Sequence, residues 1–112
     1  MAKGKSIKIK VARVPWTVEF KQSWHEVNPE ESSRCFGLTL YNEHKIRIAG
    51  DAPPEKQHIT LIHEILHAIV HEYGITPLEK DAATGEHDEK HIDLLAIGIC
   101  EVLESLGMTP PH

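Results

Sequence analysis

Residues 63–67 read His-Glu-Ile-Leu-His and place two imidazoles and a carboxylate within one short segment. Residues four apart on a helix share a face, so His63 and His67 can hold one Zn²⁺ between them. Glu64 is then placed to take a proton from a water held at that metal. The longer metzincin pattern H-E-x-x-H-x-x-G-x-x-H is excluded, because Val70 and Tyr73 stand at its Gly and final His positions. The spacing predicts metal-dependent hydrolysis, with peptide bonds as the expected target.

The residues around this motif have the periodicity of an amphipathic helix, with a polar stripe opposite an apolar arc. The stripe consists of Thr60, His63, Glu64, His67 and His71. The arc consists of Ile59, Ile62, Ile65, Leu66, Ile69, Val70 and Tyr73. Asp51 is the expected N-cap, and Gly74 is expected to end the helix. The motif is thus predicted in mid-helix, where two ligands are held rigidly.

Catalytic zinc takes three protein ligands, so a second segment must supply one. The strongest candidate is Glu89, which opens the next helical pattern, with Asp93 one turn later on the same face. We expect Glu89 to bind the metal, while Asp93 accepts a hydrogen bond from the free ring nitrogen of a motif histidine. His87 and His91 remain alternative ligands.

The second helix has an apolar arc beside the line of Glu89 and Asp93, and we expect this arc to be its packing face. It consists of Ile92, Leu95, Ile99, Val102, Leu103 and Leu106.

The first half of the chain alternates apolar and polar residues, as strands do. Residues 7–11 and 14–20 predict two half-buried strands, and residues 37–41 and 45–48 predict a hairpin. The predicted fold class is therefore α+β. A small N-terminal antiparallel sheet of three to four strands packs on two main helices, the first carrying H-E-x-x-H and the second the third ligand.

These residues together resemble the thermolysin-type, or gluzincin, zinc peptidases, in which H-E-x-x-H is followed on a later helix by a ligand Glu and, four residues on, an Asp. The run from Thr60 to Ala68 and the helix after it resemble more closely the small ImmA/IrrE-like peptidases often encoded by phages and mobile elements. The similarity covers residues 37–106. It implies one zincin-like metallopeptidase domain over residues 1–112, with Zn²⁺ on His63, His67 and Glu89, Glu64 as the base, and Asp93 supporting a histidine.

Gluzincins bind the substrate in extended form along an edge strand just before the motif helix, and the resemblance offers that role to the strand around Ile46. An edge strand presents unpaired N–H and C=O groups that an extended peptide can satisfy. A purely structural hairpin fits the same residues. Gluzincins also use a Tyr or His to stabilise the oxyanion. The candidates here are Tyr41, His44, His87 and His91.

Composition limits the location and the partners. The sequence contains no apolar run long enough for a membrane span, and its Lys-rich start lacks the apolar core of a signal peptide, so a cytoplasmic protein is expected. Residues 1–50 carry nine Lys/Arg and five Glu, a net +4, whereas residues 51–112 carry three Lys and twelve Asp/Glu, a net −9. The basic half has no nucleic-acid reading motif, which argues against nucleic acid. The expected partner is a peptide or protein substrate.

Two other classes of function fit the same residues. One is a zinc-binding module that captures a peptide or protein without cutting it, and whose function Glu64→Gln would not affect. The other is a metal-free interaction domain whose His stripe packs against a partner, and whose melting a chelator would not affect.

Overall fold

A computed structural model describes residues 5–29, 35–75, 79–81 and 86–108. The elements in chain order are β1 (Ser6–Val11), β2 (Val14–Lys21), α1 (Trp24–Val27), β3 (Gly37–Leu40), β4 (Lys45–Ala49), α2 (Pro54–Tyr73), β5 (Glu79–Asp81), β6 (Glu86–His87) and α3 (Glu89–Ser105). β1 to β4 form one sheet, and β5 pairs with β6. The predicted α+β class, with a four-stranded sheet and two main helices, is confirmed.

One pairing in the sheet differs from the predicted antiparallel arrangement. β1 with β2 and β3 with β4 are antiparallel, whereas β2 and β4 are parallel, with Thr17 opposite Lys45. The strand order is β1-β2-β4-β3, so β4 lies inside the sheet and β3 lies at its edge. The strand around Ile46 is therefore not an edge strand, so the expectation that it is the substrate-binding edge is wrong, and β3 is the edge strand beside it.

The two middle strands supply the core, because alternate side chains of a strand point to the same face. Their inward side chains are at most 1% exposed: Trp16, Val18, Phe20, Ile46 and Ile48. α2 contributes Leu61 and Ala68 to the same cluster. Full burial of one such large side chain stabilises the fold by about 1.5–3 kcal/mol, so this cluster holds the motif helix firmly on the sheet.

α2 begins later than predicted. Pro53 stands at the N-cap position instead of Asp51, with ψ of 148°, and Pro54 is the first helical residue. The helical conformation is unfavourable for a residue that precedes proline. Pro53, which precedes Pro54, is therefore extended, and the helix starts only after it. The predicted end is confirmed, since Gly74 adopts a left-handed φ of 61° and its N–H donates to the Val70 carbonyl.

The middle of the polar stripe of α2 is buried, whereas His71 at its end is exposed. Thr60, Glu64 and His67 are only 6–8% exposed. In the apolar arc, by contrast, Val70 is buried while Tyr73 is 65% exposed, and the remaining members are half-buried. Buried polar side chains need hydrogen-bond partners or a bound ion, so the stripe must find them at the sheet and at α3.

α3 packs on α2 through a narrower line than the predicted arc. Ile92, Ala96 and Cys100 are buried, whereas Leu95, Val102 and Leu106 of the arc are 42–66% exposed. Glu89 and Asp93 face the histidines of α2, and Ala96 and Cys100 continue their line along the helix. This orientation turns the centre of the arc away from α2. Within the described part of the chain, no helix has the length and apolar character needed to cross a bilayer.

Candidate metal and catalytic site

Three potential ligand atoms meet where α2 faces the start of α3. His63 Nε2, His67 Nε2 and Glu89 Oε1 are each 3.2 Å from the other two. Tetrahedral zinc with bonds of about 2.0–2.1 Å keeps its ligand atoms about 3.3 Å apart. These three atoms, here called the ligand triangle, therefore have the separation that one zinc ion requires. Among the described residues they form one His/Cys/Asp/Glu group close enough to share an ion.

Asp93 supports the first histidine of the triangle. Nδ1 of His63 donates a hydrogen bond to Asp93 Oδ1 over 2.7 Å. A histidine whose Nδ1 carries the proton offers its Nε2 lone pair to the triangle, and the carboxylate keeps the ring in that orientation. The structure thus brings together His63, His67, Glu89 and Asp93, which the sequence grouped as a site.

Asp88 fixes the start of α3 and thereby the position of Glu89. Its carboxylate accepts a hydrogen bond from the backbone N–H of His91 and lies 2.6 Å from His91 Nδ1. The hydrogen bond from the His91 side chain holds the pKa of Asp88 below its usual value. His91, an alternative ligand in the sequence, is therefore engaged with Asp88 at the N-cap and is not part of the triangle.

Glu64 is buried beside the triangle. The hydroxyl of Thr39 on β3 donates to Glu64 Oε1 over 2.7 Å, and Glu64 Oε2 is 3.9 Å from His63 Nε2. Burial raises the pKa of this carboxyl group, and the carboxylates of Glu89 and Asp93 raise it further, against the lowering effects of Thr39 and His63. A carboxylate whose pKa moves toward neutrality is suited to take up and release a proton.

Gly37, the first residue of β3, lets the strand approach Glu64 closely. A Cβ at this position would lie 2.5 Å from Thr60 Cγ2 and 2.9 Å from Glu64 Cγ. Both distances are far below carbon–carbon contact, so a larger residue would push the strand away from the helix. The absence of a side chain at residue 37 therefore keeps Thr39 within hydrogen-bond distance of Glu64.

His67 lies deeper than His63 and has a second histidine behind it. Burial lowers the pKa of His67, and the neighbouring His63 and His87 lower it further, while Glu89 opposes the change. The ring is therefore neutral near pH 7, as a metal ligand must be. Its Nδ1 is 2.7 Å from Nδ1 of His87, and the two rings stack with centroids 4.9 Å apart.

The position of His87 was not predicted from the sequence. A helical wheel that includes residue 87 places it away from Glu89, but α3 begins only at Glu89, and His87 ends the short strand β6. In an extended segment, residues two apart point to the same side, so His87 and Glu89 both face α2. Asp88 is a favourable N-cap residue, and this signal could have shown that His87 precedes the helix.

Two open pockets share Gly37, His63 and Glu64 as lining residues, and together they form a cleft beside β3. One part has a volume of about 390 Å³ and contains the triangle, with Leu38, Thr39 and Tyr41 on its β3 side. The other part has a volume of about 290 Å³ and lies beside His63 and Glu64. It is also lined by Cys35, Phe36, Lys56 and Ile59. The edge strand and the candidate metal site therefore share one cleft.

Of the four candidates for stabilising an oxyanion, Tyr41 lines the part of the cleft that contains the triangle. Burial raises the pKa of Tyr41, and the carboxylates of Glu64 and Glu89 add to this, so its hydroxyl stays protonated. Its ring centroid lies 4.7 Å from that of His71 and 5.7 Å from that of His87.

His44, a further candidate for the oxyanion role, contacts other residues. It pairs with Glu72 at 3.6 Å and meets the ring of Trp16 edge-on at 5.2 Å. The indole N–H of Trp16 donates to the same carboxylate of Glu72 over 2.8 Å. These contacts tie β2 and the turn after β3 to the end of α2.

Comparisons with protein-family models, with curated proteins and with solved structures find no match to this chain. The resemblance to gluzincin peptidases therefore remains a prediction from the motif residues. Function has to be argued from the side chains of the site and their chemistry.

Proposed function

We propose that this chain is a zinc-dependent peptidase that hydrolyses peptide bonds with Glu64 as the general base. The observation that carries the proposal is the ligand triangle with 3.2 Å sides, next to the buried carboxylate of Glu64. Two imidazoles and one carboxylate are a donor set of catalytic zinc sites, which keep one position open for water or substrate.

His63, His67 and Glu89 would hold the ion, and Asp93 would keep the His63 ring oriented. When bound, zinc supplies Lewis acidity that polarises a carbonyl and makes water easier to deprotonate. The same donor types also bind ferrous iron. Zinc is favoured because Glu64 is placed as a base beside the triangle, as hydrolysis requires.

Glu64 takes a proton from the water that attacks the peptide carbonyl and then returns it to the leaving amine. The hydrogen bond from Thr39 holds one carboxylate oxygen and leaves the other directed toward His63. Tyr41 donates its hydroxyl proton as a hydrogen bond to the oxygen on which negative charge develops.

β3 receives the substrate. Its residues line the cleft, and because it is the last strand of the sheet, an extended peptide can pair with its backbone groups. β3 has four residues, so at about 3.3 Å per residue it engages roughly 13 Å of substrate. This accounts for a site that accepts a short extended segment of a peptide or protein. A cytoplasmic location and a phage or mobile-element origin remain predictions.

Metal content per chain, measured by elemental mass spectrometry, tests the metal site. We expect one zinc per chain in the wild type and a sharp loss in Glu89→Ala. Glu101→Ala is the matched control, because Glu101 is an exposed carboxylate on the same helix. An unchanged zinc content in Glu89→Ala would mean that another residue is the third ligand. A wild type without zinc after zinc-replete expression would favour the metal-free interaction domain. Bound iron would indicate a class of enzyme other than a hydrolase.

Hydrolysis is tested on a mixed peptide library, with cleavage products read by mass spectrometry. Glu64→Gln should retain zinc, because Glu64 is outside the triangle, and should lose roughly 10²–10⁴-fold in rate, the usual contribution of a general base. Hydrolysis that survives this change would refute the assignment of Glu64. A zinc-loaded wild type that cuts nothing would favour the module that binds peptides without cutting them.

A further inference from the structure

We infer that His87 is a positioning residue of the candidate metal site, whose Nδ1 accepts the hydrogen bond that fixes the ring of His67. The inference rests on the proposed zinc site. It is carried by the 2.7 Å separation of the two Nδ1 atoms and by the burial of both rings, which are 6–7% exposed.

The contact between the two rings determines where their protons lie. One proton must lie between the two Nδ1 atoms, because a neutral imidazole has one donor and one acceptor nitrogen. His67 Nε2 belongs to the ligand triangle, where a metal ligand must offer a lone pair. When a metal occupies the triangle, the proton of His67 is therefore on Nδ1, and it is donated to Nδ1 of His87. His87 in turn carries its own proton on Nε2.

This arrangement also explains why His87 is not a ligand in the structure. Its Nδ1 meets the Nδ1 of His67, whereas the triangle is built on Nε2 of that same ring. The two nitrogens are on opposite sides of the imidazole. His87 thus acts through His67 rather than on the metal.

One short segment holds both nitrogens of His67. Glu89 Oε1 is 3.2 Å from Nε2, and His87 Nδ1 is 2.7 Å from Nδ1. The two residues are separated only by Asp88, the N-cap of α3. The cap at Asp88 therefore places His87 and Glu89 on either side of this ring, so that His87 can accept from Nδ1 while Glu89 shares the metal with Nε2.

The two histidines of the triangle have different acceptors, in keeping with their burial. His63 donates to Asp93, whose side chain is 62% exposed. His67 lies deeper, where a further carboxylate would be costly to bury beside Glu64 and Glu89. The neutral imidazole of His87 supplies an acceptor there without adding charge.

Zinc affinity tests this role, measured by competition with a chromophoric chelator. We expect His87→Phe, which fills the space but has no acceptor, to weaken zinc binding about 10- to 100-fold, the usual effect of losing such a partner. His87→Asn should recover part of the affinity, because its amide oxygen can stand near the position of Nδ1. His25→Phe, a change at an exposed histidine of α1, should leave the affinity unchanged.

The proton positions of the two rings in zinc-loaded protein give a readout that a merely structural role would not move. Long-range ¹H–¹⁵N spectra of the wild type should show the His67 proton on Nδ1 and the His87 proton on Nε2, because His87 accepts with its Nδ1. The wild-type spectrum needs no variant, so it tests the inference even if His87→Phe does not fold. A wild-type proton on Nδ1 of His87 would overturn it.

The outcomes separate His87 from the metal site itself. Zinc binding in the wild type with undiminished affinity in His87→Phe would overturn the role of His87 and leave the proposed function intact. Equal losses in the Phe and Asn variants, with the wild-type His87 proton on Nδ1, would also overturn it. No zinc in the wild type would overturn both.

Discussion

Substitution of Gly37 by alanine tests the closeness of β3 to the motif helix. The added Cβ would meet Thr60 Cγ2 at 2.5 Å and Glu64 Cγ at 2.9 Å. Carbon atoms in contact lie about 3.5–4.0 Å apart, so the strand or the helix must move by roughly 1 Å. The residue has no left-handed φ, so the expected effect comes from space alone.

The magnitude follows from the packing of the site. Forcing an extra methyl group into a packed interior typically lowers the free energy of unfolding by about 1–3 kcal/mol. Gly98→Ala is the matched control, because Gly98 lies within α3 and a Cβ there would meet nothing within 4 Å. Alanine is favoured over glycine inside a helix by about 1 kcal/mol. The same chemical change is therefore expected to destabilise at residue 37 and to stabilise at residue 98.

Urea unfolding of the zinc-free chain measures both effects. The two variants should differ by about 2–4 kcal/mol, which at a slope of about 1–3 kcal/mol per M separates their midpoints by roughly 1–2 M. Gly37→Ala should also slow hydrolysis by displacing Glu64, while the triangle keeps its zinc. A Gly37→Ala midpoint at or above that of the wild type would refute the close approach of β3 to α2.

Three further predictions concern single side chains. Tyr41→Phe should lower kcat about 10²–10³-fold by removing the donor to the oxyanion, with zinc content unchanged; steady-state kinetics with an undiminished kcat would reject this role. Glu64→Gln should stabilise the zinc-free chain against urea near pH 7, because burial raises the pKa of Glu64 above its usual value of about 4.5. This gain in stability should vanish below pH 4.5, where Glu64 is protonated in both the folded and the unfolded wild type. Glu72→Ala should cost about 1–3 kcal/mol in thermal unfolding by leaving the N–H of Trp16 without its acceptor, and Glu72→Gln should cost less; equal losses would contradict the hydrogen bond.

The side chains of the candidate site could be grouped from the sequence because their spacing is a local property of helices. Residues four apart share a helix face whatever the rest of the fold does, which pairs His63 with His67 and Glu89 with Asp93. The need for a third ligand then connected the two pairs. The structure brings them together as expected, while their roles as ligands and support remain predictions.

The features that were not predicted depend on contacts between distant segments. The parallel pairing of β2 with β4 follows from the order of strands in the sheet, which alternating residues do not encode. The exposure of Leu95 and Val102 follows from the rotation of α3 on α2. The role of His87 depends on where α3 begins and on β6, a strand of two residues that is too short to have a periodicity.

The place of β4 inside the sheet separates local folding steps from one long-range step. Each antiparallel hairpin closes over a short turn, but Thr17 pairs with Lys45 across 28 residues, and such long closures are slow. The contact of Thr39 with Glu64 lies within the consecutive elements β3, β4 and α2, so it can form without that closure. The long closure then adds β1 and β2, whose Trp16, Val18 and Phe20 complete the buried core under the motif helix.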